Sequence, residues 1–281
     1  VIWFEGGKEK AMTDVPPPAK PIGVEMKLRQ LNLPGDADEL YTEFVSGIEQ
    51  RIIAGEDRSD ICRDALTTLW GGMVGNPLMG MQFDPRFVTL ESEYYGDCDP
   101  VKFAEVKPLL WLWYMYDRSP AGLNLELGFR LRRMLAKYIF KRVGKNFKCF
   151  PFVEFTFGYN MEVGDNVVVH RWVMLDDRGG IVLGDKSSCA DFVNVYSHTH
   201  DINLQQFVDN RKTVIGPRCR LTYHSTVLAG AQLGENSMLG AHGLLTRDTR
   251  EHAVYVGIPA KKVKEKDRDL AQPTKHKEER F

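Results

Sequence analysis

Apolar side chains in the first half of the chain recur at helical spacing. In DADELYTEFVSGIEQRIIAG, Leu40, Phe44, Ile48 and Ile52 share one helix face, and Gly55 marks a stop. DRSDICRDALTTLWGG repeats this with Ile61, Leu66 and Leu69, and GLNLELGFRLRRMLAKYIFKRVG with Leu131, Leu135 and Ile139. Between them, MVGNPLMGMQFDPRF shows no period and reads as irregular. The pattern predicts an α-helical domain over 37–143. An arm rich in proline and charge precedes it over 1–36 (TDVPPPAKPIG).

After Gly144 the period changes to six. Isoleucine, leucine or valine stands at 215, 221, 227, 233, 239 and 245, and a small residue follows four later at Cys219, Ser225, Ala231, Ser237 and Gly243. Upstream the same frame runs through Val163, Val169 and Leu175, slips by two at DDRGG, and resumes at Leu183, Cys189 and Val195. A sustained six-residue period predicts a parallel β-helix of hexapeptide repeats. Each repeat forms one side of a prism, with the large apolar residue inside and the small one at a corner. Three sides close a coil, so residues 18 apart should stack about 4.8 Å apart. The domain is expected over 144–263, with a charged tail over 264–281.

One place in this domain breaks the pattern. NVYSHTHDINLQQFVDNRKTVIG puts His198 and His200 at the end of an alternating run. An aperiodic stretch over 201–212 then precedes re-entry at Thr213-Val214-Ile215. In the repeat frame, Val195 opens a side and His200 closes it at a corner. His200 is thus expected to be held by the prism at the lip of a loop.

The segments GYNMEVGDN, GDKSSCADFVNVYSHTHD and the run from TVIGPRCRLTYHST to GIPAKKV resemble the hexapeptide-repeat acyltransferases. The similarity is greatest to the galactoside, maltose and capsule-sugar O-acetyltransferase branch, and it covers about residues 145–265. It implies a left-handed β-helix, a homotrimer, and acetyl-coenzyme A in the groove between subunits as co-substrate. It places the family's catalytic histidine on His200. A neutral imidazole, with an unperturbed pKa of about 6.5, would take the proton of a sugar hydroxyl as it attacks the thioester.

His198, Asp201, His170 and Asp177 are the candidate acceptor contacts. Tyr223, Ala241, Thr246, Arg247, Lys261 and Lys264 match positions that touch the coenzyme's pantetheine and phosphates. The chain departs from the family at Arg220-Leu221-Thr222-Tyr223, where a Trp-Ile-Gly step is common. Bulk at Thr222 and Tyr223 would crowd the thioester arm. Two alternatives to O-acylation therefore stay open: a catalytically silent β-helix scaffold, and N-acylation of an amino sugar.

Composition narrows the picture. The 281 residues carry 37 basic and 38 acidic side chains, a balance that argues against a nucleic-acid binder. The five cysteines, at 62, 98, 149, 189 and 219, lack metal or redox spacing and read as reduced thiols in a cytoplasmic protein. VIWFEGGKEK lacks the layout of a secretory signal. No metal is expected. His224 and His242, 18 apart, should stack on one face. Leu127 to Val153 contains no acid but has Arg130, Arg132, Arg133, Lys137, Lys141, Arg142, Lys145 and Lys148. A helix over 127–148 is expected to cap the open end of the β-helix. The alternative is a peripheral membrane contact.

Overall fold

Short polar side chains start four helices. Asp57, Asn76, Asp99 and Asn124 each accept hydrogen bonds from backbone N–H groups one turn on, satisfying donors that a helix start leaves unpaired. The computed structural model describes residues 33–71, 75–266 and 268. Within them the helices are α1 (Gly35–Ile53), α2 (Arg58–Trp70), α3 (Pro77–Phe83), α4 (Pro100–Arg118) and α5 (Leu125–Ile139). Residues 1–32 of the expected arm and 269–281 of the expected tail lie outside the described residues. The arm's last residues, Gly35 and Asp36, already belong to α1.

Two expectations for this region are corrected. The stretch read as irregular contains α3, started by the Asn76 side chain and Pro77, and a 3-10 turn at Pro85–Phe87. The basic helix is α5, which stops at Ile139 instead of running to 148.

Behind α5 begins a parallel β-solenoid whose strands form three faces. The first face stacks Arg142–Val143, Met161–Val163, Ile181–Leu183, Thr213–Ile215 and Gln232–Leu233. The second runs from Lys148–Cys149 through Val168–Val169, Ser188–Cys189, Arg220–Leu221 and Met238–Leu239 to Ala253–Val256. Lys261–Glu265 closes that face in antiparallel pairing. The third stacks Glu154–Phe155, Met174–Asp176, Asn194–Tyr196, Thr226–Val227 and Leu244–Leu245.

Every in-frame residue from Val163 to Leu245 is buried. Burying one such side chain stabilises the fold by about 1.5–3 kcal/mol, so the period of six is the period of the core. The backbone turns left-handed three residues after the in-frame residue, at Asn146, Asn166, Lys186, Arg218 and Asn236 on one corner. Phe152, Trp172, Phe192, His224 and His242 do so on the next. The small residue follows and is packed inside, as Ser225, Ala231 and Ser237 are.

The coil length differs from expectation on the N-terminal side. Val214 pairs with Gln232, giving 18 residues per coil, but Glu162 pairs with Val182, giving 20. The two extra residues sit in the corner after the third face. There the buried Asp177 carboxylate accepts from Phe157 N (2.7 Å) and Asn160 N (3.0 Å), and Gly158 and Gly180 take φ of +78° and +95°. The DDRGG slip is this corner.

The helices cap the solenoid's open end by pairing the first coil's backbone. The Tyr114 hydroxyl donates to Phe155 O (2.9 Å) and accepts from Phe155 N (3.0 Å). Arg132 donates to Cys149 O (3.1 Å) and Arg133 to Phe147 O (2.9 Å), while Asp117 accepts from Phe152 N (2.7 Å). Each such group left buried and unpaired would cost about 1–3 kcal/mol. The basic residues named above are largely committed within the chain. Arg132 is fully buried against Asp117, Arg130 pairs with Asp38 and Glu126, Lys137 with Glu49, and Lys141 with Glu162. That arrangement is a cap. Among the described residues no helix is long and apolar enough to cross a membrane.

Candidate active site

The third face ends at Tyr196, which pairs with Asp176 on the preceding coil. Ser197 then fixes the exit: its hydroxyl accepts from Gly179 N (2.8 Å) and donates to Asp176 O (2.5 Å). His198–His200 leave the prism and pair antiparallel with Val208–Asn210, His198 opposite Asn210 and His200 opposite Val208. The expected corner position of His200 is thus corrected: a projecting hairpin holds it. The stretch expected as loop is that hairpin's tip and return strand. Asn210 Nδ2 donates to Asp97 (2.8 Å), tying the return strand to the helical region.

The two imidazoles sit edge to face with centroids 5.4 Å apart. His200 is exposed, and its Nδ1 lies 2.7 Å from the carbonyl oxygen of Gln205. A carbonyl only accepts, so Nδ1 carries the proton and Nε2 keeps its lone pair. That is the tautomer a general base needs. His198 is 21% exposed, and its Nδ1 bonds the Asp176 carboxylate, which is 2% exposed. The other Asp176 oxygen accepts from the Thr156 hydroxyl at 2.6 Å. His198 is therefore fixed in orientation and sheltered, while the His200 ring is exposed.

His198 lines a cleft of about 370 Å³ between the third face and the helical region. Its walls include Tyr95, Tyr114, Arg178 and Tyr196. Arg178 is held by both Asp97 oxygens (2.9 and 2.8 Å) and lies 4.5 Å from the Tyr95 ring centroid.

Three acceptor candidates fall elsewhere. Asp201 turns its carboxylate back to Asn203 N (2.9 Å) and Leu204 N (2.8 Å), so it caps the hairpin tip and does not touch an imidazole. Asp177 is the buried corner pin described above. Burial pushes its carboxyl up to about 6, against backbone N–H groups that pull it down. His170 stacks on Phe150 at 4.6 Å, at the corner between the second and third faces, and burial lowers its pKa.

The coenzyme candidates are all exposed and lie at several places on the solenoid. Tyr223, 52% exposed, and Ala241 sit on successive coils at the corner joining the second and third faces. Thr246 and Arg247 follow the third-face strand Leu244–Leu245, and Lys261 and Lys264 lie on the antiparallel strand of the second face. None of the six lines the His198 cleft. Among the described residues, Arg247, Lys261 and Lys264 have no ion-pair partner, so their charge is available to an anionic group. Thr222 is corrected as an obstacle: it is buried, and its hydroxyl donates to Leu239 O (2.8 Å). Only the Tyr223 ring presents bulk.

Cys189 and Cys219 are buried, and burial pushes their thiols up to about 12 and about 11, so neither is a nucleophile at neutral pH. His224 and His242 stack with planes 2° apart, and their in-plane lone pairs therefore do not converge on a metal.

Asp176 is absent from the candidates named above, although it begins the DDRGG slip, where a repeat break marks a departure from the prism. Arg178 lies in the same slip. Tyr95 and Tyr114 have no comparable signal, because they come from the helical half and contact across halves leaves no period.

No protein-family model matches the chain. A relative from Staphylococcus aureus (strain COL) is 30% identical over 122 residues, 42% of this chain, which spans 61% of that relative's length. Galactoside O-acetyltransferase of Escherichia coli (strain K12) is 28% identical over 143 residues, covering 49% of this chain and 70% of the relative. Among solved structures, a maltose O-acetyltransferase from Clostridium difficile 630 matches with a TM-score of 0.54 at 23% identity, over 64% of this chain and 98% of its own. The hexapeptide-repeat-containing acetyltransferase VCA0836 of Vibrio cholerae, complexed with acetyl-coenzyme A, matches with a TM-score of 0.51 at 17% identity, over 59% and 88%.

Proposed function

We propose that this chain, which belongs with the hexapeptide-repeat acetyltransferases of the galactoside and maltose branch, moves an acetyl group from coenzyme A to a sugar or glycan hydroxyl. The observation that carries this reading is the His200 tautomer. Its Nδ1 proton is committed to Gln205 O, which leaves Nε2 as the accepting atom of an exposed neutral imidazole. The hydroxyl proton goes to Nε2 as the oxygen attacks the thioester carbonyl. The carbon–sulfur bond then breaks, and the imidazolium returns the proton to the departing sulfur. Oxygen gains the acyl group and coenzyme A leaves as the thiol, with no acyl-enzyme. General-base assistance of this kind is worth about 10² to 10⁴ in rate. His198, held by Asp176, orients the acceptor in the cleft beside it.

The donor is bound by residues remote from that cleft. Arg247, Lys261 and Lys264 meet the coenzyme phosphates as charge-assisted donors, and Tyr223, Ala241 and Thr246 flank the pantetheine. Because His200 projects from a hairpin and the donor residues lie on other parts of the solenoid, the complete site combines two copies of the chain. The assembly we propose is a homotrimer. Light scattering at micromolar concentration should give three times the chain mass, and a monomer would count against the shared site.

Tyr223 decides between the enzyme and a silent scaffold. Replacing it by serine removes the exposed ring beside the donor path, so Tyr223→Ser should tighten coenzyme A binding or widen the range of accepted acyl chains. Calorimetry of the two forms reads this. Equal affinities and equal acyl ranges would place the ring away from the donor.

A further inference from the structure

We infer that the acceptor is a neutral oligosaccharide rather than a nucleotide-activated sugar, and that the helical region binds the units beyond the one that reacts. This rests on the acyl-transfer reading above and adds the class of acceptor to it.

A second cleft, of about 740 Å³, lies in the helical region between α4 and the segment before it, with Pro85, Phe103, Ala104 and Lys107 on its walls. Tyr95 lines both this cleft and the one at His198. The two therefore adjoin at one phenol ring, along the 3-10 turn Glu91–Tyr94. Sites for small ligands measure about 300–1,000 Å³. The His198 cleft suits the reacting unit, and the larger cleft takes further units of a longer chain.

The charges say what the rest of the ligand is. Among the described residues, every Arg and Lys on these walls already has a carboxylate: Arg86 has Asp84 and Asp60, Lys107 has Glu93, and Arg178 has Asp97. A diphosphate or a uronate would have to displace one of these pairs to find a donor. A neutral sugar chain does not. Its apolar ring faces match the exposed Pro100 and Ala104 and the Tyr95 ring, and its hydroxyls match the carboxylates and phenols along the path.

The test measures acceptor binding by calorimetry, with the full chain and no donor present. The probes are malto-, cello- and galacto-oligosaccharides of one to five units, with uridine-diphosphate glucose and galactose as the charged arm. Affinity should rise about tenfold between one and four units in at least one neutral series. Neither nucleotide sugar should bind more tightly than its free hexose. Ala104→Trp, which fills the larger cleft, should abolish the gain with length, with an unchanged thermal melt showing that it folds. Affinity flat with length in every series, tighter binding of a nucleotide sugar, or a gain that survives Ala104→Trp would each overturn the inference. Length-dependent binding without any acyl transfer would instead sink the acyl-transfer reading and leave the groove standing.

Discussion

His200→Ala should lower turnover by about two to four orders of magnitude while coenzyme A binding survives. The substitution removes Nε2, the group that accepts the acceptor's proton, and it leaves the donor residues untouched. It should cost little stability, because the imidazole is exposed and the hairpin is held by backbone pairing to Val208–Asn210. His198→Ala should behave differently. It removes a side chain that lines the acceptor cleft and leaves Asp176 without its imidazole partner, so the main effect should be a higher apparent KM for the acceptor. A thioester-cleavage assay on both variants with a panel of sugars separates the roles. If His198→Ala loses turnover while His200→Ala keeps it, the base lies two residues upstream, on the imidazole that Asp176 holds.

The second large effect concerns the joint between the helical region and the solenoid. Arg132 is fully buried, and its Nε donates to Asp117 Oδ1 at 2.9 Å. Through Arg132 and Asp117 together, the pair also bonds Cys149 O, Gly122 O and Phe152 N. Arg132→Ala should destabilise the chain by about 3–5 kcal/mol, because it strands a buried carboxylate and unpairs first-coil backbone. Replacing both partners, Arg132→Met with Asp117→Leu, should recover part of that loss, since no charge is then left alone in the interior. Denaturant unfolding of the three forms reads the difference. A single variant within about 0.5 kcal/mol of the parent would show that the pair does not hold the cap in place.

The solenoid could be read from the sequence because one constraint repeats. A side chain at each sixth position must fill the same narrow interior, and from Val163 to Leu245 each one does. The corners show where this rule stops. Asp177 and its backbone donors build a wider turn, and the pattern there registers a slip without saying what fills it. In the helical region, α1, α2 and α5 bury one face and leave an amphipathic trace. α4 buries Leu109, Leu110, Leu112, Trp113 and Tyr116 around its axis, so its apolar run has no helical period, and Pro108 within it further masks the helix.

The site was partly visible for the same reason. The His198-Thr199-His200 step stands out because the repeat ends there. Tertiary contact decides what each histidine does: Asp176 lies 22 residues before His198, and Gln205 supplies its carbonyl only because the hairpin folds back. Asp201 shows how sequence adjacency misleads. A carboxylate beside a histidine in the chain is drawn here to its own turn's N–H groups.

The most direct test of the central claim is a crystal structure of the protein with acetyl-coenzyme A bound. The account predicts the donor in a groove between two copies, its phosphates at Arg247, Lys261 and Lys264, and its sulfur beside Nε2 of His200. A donor that fails to bind, or a groove filled by the Tyr223 ring with no sulfur near either histidine, would contradict it.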